Sequence, residues 1–143
     1  MTSNIQTQLD AKSIVTSVNG LSDALIEDNS LYLGHDPSST TSTAVANISI
    51  GATALNAITT GDNNIAIGYN SLSSNTTGTH NVAIGVGFLS NNSSGLSNTA
   101  IGLEALARTS SGVGNTAVGM ESILYNTSSV SYTHLTLPTI LLV

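Results

Sequence analysis

A five-residue word recurs along this chain at a fixed interval of 17 residues, and this interval constrains the fold more than any other feature. The words read NISIG, NIAIG, NVAIG, NTAIG and NTAVG, and the related word SLYLG precedes them by one further interval. Repeats at a fixed short period are typical of stacked architectures, in which each copy packs only against its neighbours. Every word closes on glycine, at Gly34, Gly51, Gly68, Gly85, Gly102 and Gly119.

Residues within each word alternate in size. In the five words that open with asparagine, the second and fourth places are β-branched, as in Ile65 and Ile67, whereas the third is small, as in Ala66. Because strand side chains point to opposite faces in turn, each word predicts a short strand with one β-branched face and one small face. The closing glycine permits a bend without strain at Cβ.

The remaining part of each repeat has an apolar ninth place and a polar end. The ninth place predicts a second short strand, and stretches such as TTGDN and NTTGTH predict turns. The ninth-place residues are Leu55, Leu72, Leu89, Leu106 and Ile123.

One such repeat can bury its apolar face only against further copies of itself. We therefore expect an all-β fold, a parallel β-solenoid of about six 17-residue coils over residues 30–129. Successive coils would lie about 4.8 Å apart. The asparagines that open the words are then expected to form a ladder of side-chain amides rather than a ligand site; they are Asn47, Asn64, Asn81, Asn98 and Asn115.

Residues 1–29 lack the repeat and are assigned to an N-terminal connector. The stretch LSDALIED at 21–28 predicts a short helix with Ser22 as its N-cap. An irregular linker between modules accounts for the same residues equally well.

Charge and composition exclude several classes of function. Only 7% of residues are charged, the net charge is −6, and Lys12 and Arg108 are the only fixed cations. Binding to nucleic acid or to an anionic membrane surface needs clusters of such cations, so we expect neither partner. The chain has no cysteine, which excludes disulfides and thiolate metal sites. No apolar run reaches the length of a membrane span, and the first ten residues lack the features of a signal peptide.

Residues that could carry out catalysis or bind metal are few. His35 and Asp36 could form a metal or acid–base pair, but the following Pro37 favours a turn, and we favour the turn. His80 is expected to be a surface residue of a turn. Glu104 and Arg108 are expected to form a surface pair.

The acidic residues near the N-terminus do not change this interpretation. Asp23, Glu27 and Asp28 lack the alternating spacing of a calcium loop. We therefore predict no catalytic, cofactor-binding or metal site, no cofactor, and no enzymatic activity.

The repeated words resemble the head repeats of trimeric autotransporter adhesins. The matching words are NIAIG at 64–68, NVAIG at 81–85 and NTAIG at 98–102. This resemblance implies a left-handed parallel β-roll in which three chains associate, although the usual repeat of that family is shorter. The longer word NTAIGLEAL at 98–106 also resembles repeats in tail-fibre and other structural proteins of tailed bacteriophages.

The N-terminal stretches NIQTQLDAK at 4–12 and 20–41 resemble segments that precede such repeats in phage structural proteins. The resemblance therefore implies a homotrimeric part of a virion tail fibre, acting as a stiff spacer or as a contact with the host surface, where a glycan is a candidate partner. The head of a bacterial adhesin, displayed on the cell surface, is the alternative.

The last residues, 130–143, depart from the repeat. The next opening asparagine and glycine would fall at Tyr132 and Thr136. The stretch VSYTHLTLPT at 130–139 resembles the in-frame translation of a sequencing adapter. We expect 130–143 to be a non-native tail on a truncated fibre; a short apolar strand that covers the last coil is the alternative.

Overall fold

The computed structural model describes residues 24–34, 43–123, 131 and 133–135. Every strand in these ranges belongs to one sheet, and the strands lie side by side in chain order. The strands are β1 (Ala24–Glu27), β2 (Ser30–Leu33), β3 (Ile48–Ile50), β4 (Ile65–Ile67), β5 (Val82–Ile84), β6 (Thr99–Ile101), β7 (Thr116–Val118) and β8 (Thr133–Leu135).

The register of the sheet confirms the repeat. From β2 to β8 all neighbouring strands are parallel, and each pairing joins residues 17 apart, such as Ile65 with Val82. Because each chain turn returns to the same sheet beside the previous strand, the chain forms a parallel β-solenoid with one 17-residue coil per strand. The predicted fold class is therefore confirmed.

The interior of the solenoid is narrow. The small third-place residues, of which Ala66 and Ala83 are examples, are fully buried, whereas the β-branched residues beside them face outward. Leucines of the ninth place fill the rest of the interior together with Ile58 and Phe88. From β3 to β7 the inward third place holds only Ser or Ala, whereas in β2 the fully buried Tyr32 occupies it.

The ninth-place residues do not form the second strand that the sequence predicted. Leu55, Leu72, Leu89, Leu106 and Ile123 lie in turns and have positive φ values between 46° and 54°. Their backbones still bond to the next coil, as in the 3.0 Å bond from the Leu55 N–H to the Ser71 carbonyl. The prediction was wrong because apolar β-formers rarely adopt the left-handed conformation, and here burial of the side chain offsets the strain.

The predicted asparagine ladder is present along the interior. The amide nitrogens of Asn64, Asn81 and Asn98 each donate both to the Asn oxygen of the preceding coil and to a glycine carbonyl; for Asn81 these distances are 3.1 Å to Asn64 and 2.8 Å to Gly95. The Asn81 backbone N–H donates to the same Asn64 oxygen at 3.0 Å. All of these groups are fully buried, so each bond replaces one that water would otherwise supply.

The closing glycines sit where adjacent coils touch. Gly102 has a φ of 122°, and a Cβ added to it would lie 2.5 Å from the backbone carbonyl carbon of Gly119. Neither the conformation nor the space admits a side chain, because backbone atoms cannot move aside as a flexible side chain can. Glycine therefore recurs at the end of each word because the short distance between stacked coils leaves no room for a side chain.

The N-terminal end of the sheet is a hairpin. Strand β1 pairs antiparallel with β2, and the two connecting residues, Asp28 and Asn29, have φ values of 46° and 59°. The helix expected over 21–28 is therefore wrong at Ala24–Glu27. Two consecutive left-handed residues form the tight turn that joins antiparallel strands, and Asp and Asn tolerate it better than most residues do. Strand β1 thereby covers the edge of β2 that would otherwise lie open.

At the other end, β8 continues the stack by pairing with β7, with Thr116 opposite Thr133. A short strand, Thr133–Leu135, therefore lies within 130–143. Pairing follows from backbone geometry, which any extended segment can supply, so the adapter origin of 130–143 stays a prediction.

Candidate functional site

The outward face of the sheet carries an unbroken line of β-branched side chains. These fourth-place residues, here called the outer ladder, are Ile50, Ile67, Ile84, Ile101 and Val118. Ile50 and Ile84 are each 38% exposed, and Ile101 is 37% exposed. Each rung lies beside the next across one parallel pairing, so the ladder runs from β3 to β7.

A second exposed apolar line lies two residues further along each coil. Its members, Tyr69, Val86, Leu103 and Met120, are between 50% and 64% exposed, and Ala52 occupies the same place in the first of these coils. No Lys, Arg, Asp or Glu occupies the second, fourth or sixth place of any coil from Asn47 to Met120. These places are therefore uncharged along the stack, and apart from Thr99 and Thr116 they hold apolar residues. Contiguous apolar surface of this kind marks an interaction site in a folded protein.

The turn at the far end of each coil is lined by hydroxyl groups. The Thr59 hydroxyl donates to the Thr76 carbonyl at 2.9 Å, and the Thr76 hydroxyl donates to the Ser93 carbonyl at 3.0 Å. The neighbouring residues Thr60 and Thr77 are exposed. The Thr59 and Thr76 hydroxyls bond from one coil to the next, so this line of side chains stabilises the stack.

A polar cleft of about 370 Å³ opens on the surface around Gly87. Gly87 occupies the seventh place of its coil, where other coils carry Thr53, Asn70, Glu104 and Glu121. A Cβ added to Gly87 would meet nothing within 4 Å. The cleft is thus the gap that one missing side chain leaves in an otherwise filled line. Polar residues that line it are Asn70, Ser90, Asn91, Glu104 and Arg108.

Several residues considered for catalysis or metal binding lie outside the described residues, namely His35, Asp36, Pro37 and Asp23. His80 is exposed, and its Nδ1 lies 3.1 Å from the Thr79 hydroxyl. Glu104 and Arg108, expected to be a surface pair, line the same cleft.

Asp28, one of the three acidic residues considered for a calcium loop, is exposed in the hairpin turn. Within the described ranges no group of three or more His, Cys, Asp or Glu residues could hold a metal ion. Nor does any helix among those residues have the length and apolarity needed to cross a membrane.

Sequence reasoning missed the cleft, although a signal was present. The seventh place holds a polar side chain in the coils on both sides of Gly87, and glycine there breaks the pattern. It also missed the shorter interior ladder at the twelfth place, where the Asn92 amide nitrogen lies 3.4 Å from the Asn75 oxygen.

Comparison with known proteins gives no relative. No family model matches the chain, and neither a curated protein nor a solved structure matches it.

Proposed function

We propose that this chain is a non-enzymatic segment of a trimeric fibre in a tailed-phage virion, where it acts as a stiff spacer or as a contact with the host surface. The observation that carries the proposal is the outer ladder, an apolar line that repeats once per coil and in which Ile50, Ile84 and Ile101 are each more than one third exposed. The phage assignment and the number three rest on the resemblance of the NTAIGLEAL and NIAIG words.

A second copy of the chain is the occupant that best fits the outer ladder. The ladder repeats at the strand spacing of about 4.8 Å. Only a surface with the same spacing contacts every rung in the same way, and another copy in register supplies it. Because the face carries no charge, copies meet there without opposing like charges.

Stiffness follows from the way the coils are joined. Each coil bonds to the next through the strand, the asparagine ladder and the turn hydroxyls, for instance by the 2.8 Å bond from the Val82 N–H to the Asn98 carbonyl. Bending the rod would break bonds of all three kinds at once. A spacer between a virion and a cell needs this resistance, and it needs no catalytic group.

The association test compares two lysine substitutions. Ile84→Lys places a charge on the outer ladder and should convert the trimer to monomer at micromolar concentration, because an unpaired charge buried between copies is strongly destabilising. Ser94→Lys places the same charge on an exposed turn and should leave the trimer intact. Light scattering gives the mass, which should be three times 14.5 kDa for the parent chain. A monomeric parent chain would contradict the trimer, and circular dichroism confirms that both variants keep the fold.

The location of the protein separates the phage proposal from its alternative, an adhesin head on a bacterial surface. Antibody against residues 43–123 should label the tail region of purified virions in electron micrographs. Labelling of the bacterial outer membrane in uninfected cells, with none on virions, would favour the adhesin.

A further inference from the structure

The cleft around Gly87 combines hydrogen-bonding groups of every kind. Glu104 offers a carboxylate that only accepts, Arg108 a guanidinium that only donates, and Asn70, Asn91 and Ser90 can do both. Vicinal hydroxyl groups of a pyranose ring each donate and accept, so they need such a mixed set. A metal ion would need more than one carboxylate, and a phosphate would need more positive charge.

The size and charge of the cleft limit what can enter. Its volume of about 370 Å³ lies at the lower end of the range for small-ligand sites. Asn70 and Glu104 occupy the same place two coils apart, which separates them by about 9.6 Å along the stack. One carboxylate and one guanidinium cancel, so the lining is neutral overall. A single neutral sugar ring fits these three limits.

Two hydrogen bonds tie parts of the cleft to the preceding coil. The Gly87 N–H donates to the Tyr69 carbonyl at 3.0 Å, which ties the floor of the cleft to the preceding coil. On the Asn70 side, the Thr53 hydroxyl lies 3.0 Å from the Asn70 side-chain oxygen. Because Asn70 is held before a ligand arrives, its side chain loses less conformational entropy when a ligand binds.

From this geometry we infer that the Gly87 cleft binds one neutral pyranose unit of a glycan, with the Glu104 carboxylate accepting from ring hydroxyls and the Arg108 guanidinium donating to them. The inference deepens the host-contact role in the proposed function and rests on it. Glycine at position 87 is then the residue that creates the site, because any side chain there would occupy the space of the sugar.

Matched variants test the site. Gly87→Asn fills the gap with the residue that the adjacent coil already carries at this place. Asparagine tolerates the φ of 78° found there, and the added Cβ meets nothing within 4 Å, so the fold should persist. Glu104→Gln removes the charge from the cleft, and Glu121→Gln removes it at the same place one coil further on, outside the cleft. Glu104 and Glu121 have nearly equal φ values of 55° and 54°.

Binding is followed by NMR on the full chain, titrated with methyl glycosides of neutral hexoses and hexosamines. At least one should shift the amides of Gly87, Ser90 and Asn91 saturably, with a Kd on the order of 1 mM. Gly87→Asn should abolish the shifts, Glu104→Gln should weaken binding about tenfold, and Glu121→Gln should leave it unchanged.

Two results would overturn the inference. One is that no glycoside shifts these amides at roughly fifty times the expected Kd. The other is equal binding by the parent chain and Gly87→Asn, or equal weakening by the two Gln variants. The mass of the same sample keeps the proposals separate. A trimer without sugar binding removes only the cleft assignment, whereas a monomer that binds sugar removes only the trimer.

Discussion

Replacing Gly102 with alanine should prevent the solenoid from forming as a stable stack, whereas the same change at Gly87 should be tolerated. At Gly102 the new Cβ would lie 2.5 Å from a backbone carbon of the next coil, and the φ of 122° is one that residues with a side chain rarely adopt. Relieving the overlap requires the coils of Gly102 and Gly119 to separate, which breaks the hydrogen bonds that join these two coils. We expect a loss of about 4 kcal/mol or more in unfolding free energy.

Gly87→Ala is the matched control. The residue has a φ of 78°, and no atom lies within 4 Å of the added Cβ. The cost should be only the left-handed strain of about 1 kcal/mol. Urea unfolding followed by circular dichroism measures both variants. Similar losses at the two positions would mean that close stacking of coils at Gly102 does not exist in solution.

Asn81→Asp is expected to have the second large effect, because it changes hydrogen bonding with almost no change in shape. The Asn81 amide nitrogen lies 3.1 Å from the Asn64 side-chain oxygen and 2.8 Å from the Gly95 carbonyl. An Asp carboxylate at this place would set an acceptor against two acceptors in a fully buried site. Each unpaired buried group costs about 1–3 kcal/mol, and the buried charge adds to this, so we expect a loss of about 4 kcal/mol.

Asn91→Asp is the control for this prediction, since Asn91 is exposed. It should change the unfolding free energy by less than about 0.5 kcal/mol. Both variants are measured at pH 7 by urea unfolding. Equal stability of Asn81→Asp and Asn91→Asp would exclude the interior ladder as a source of stability.

The 17-residue register could be predicted because it depends on asparagines and glycines that each have a single structural role. Asn64 and Gly68 recur where the ladder and the coil contact need them, and a shift by one residue would lose both. The direction of each face was harder to predict. Alternation shows that Ile65 and Ala66 face opposite ways, but it does not say which of them is inside.

Other features depended on tertiary context that a single sequence does not display. Leu72 has a positive φ that its own propensity opposes, so only burial within the coil explains it. The stretch Ala24–Glu27 was predicted to be helical because its own residues do not reveal that it pairs with the strand after the turn. The cleft arises at Gly87 from the absence of a side chain, and its lining comes from three successive coils.

The central claim is that the chain advances by one strand spacing for every 17 residues. Because the chain has no cysteine, spin labels can be placed at chosen sites through Thr43→Cys paired with either Ser94→Cys or Ser111→Cys. These exposed residues occupy the same place in their coils, and Ser94 and Ser111 lie three and four coils after Thr43. Dilution with unlabelled chain suppresses distances between copies. Pulsed electron paramagnetic resonance should give backbone separations of about 14 Å and about 19 Å, a rise of one strand spacing for 17 added residues. Separations above about 30 Å, near the roughly 45 Å expected for a flexible chain of the longer span, would contradict the stacked solenoid.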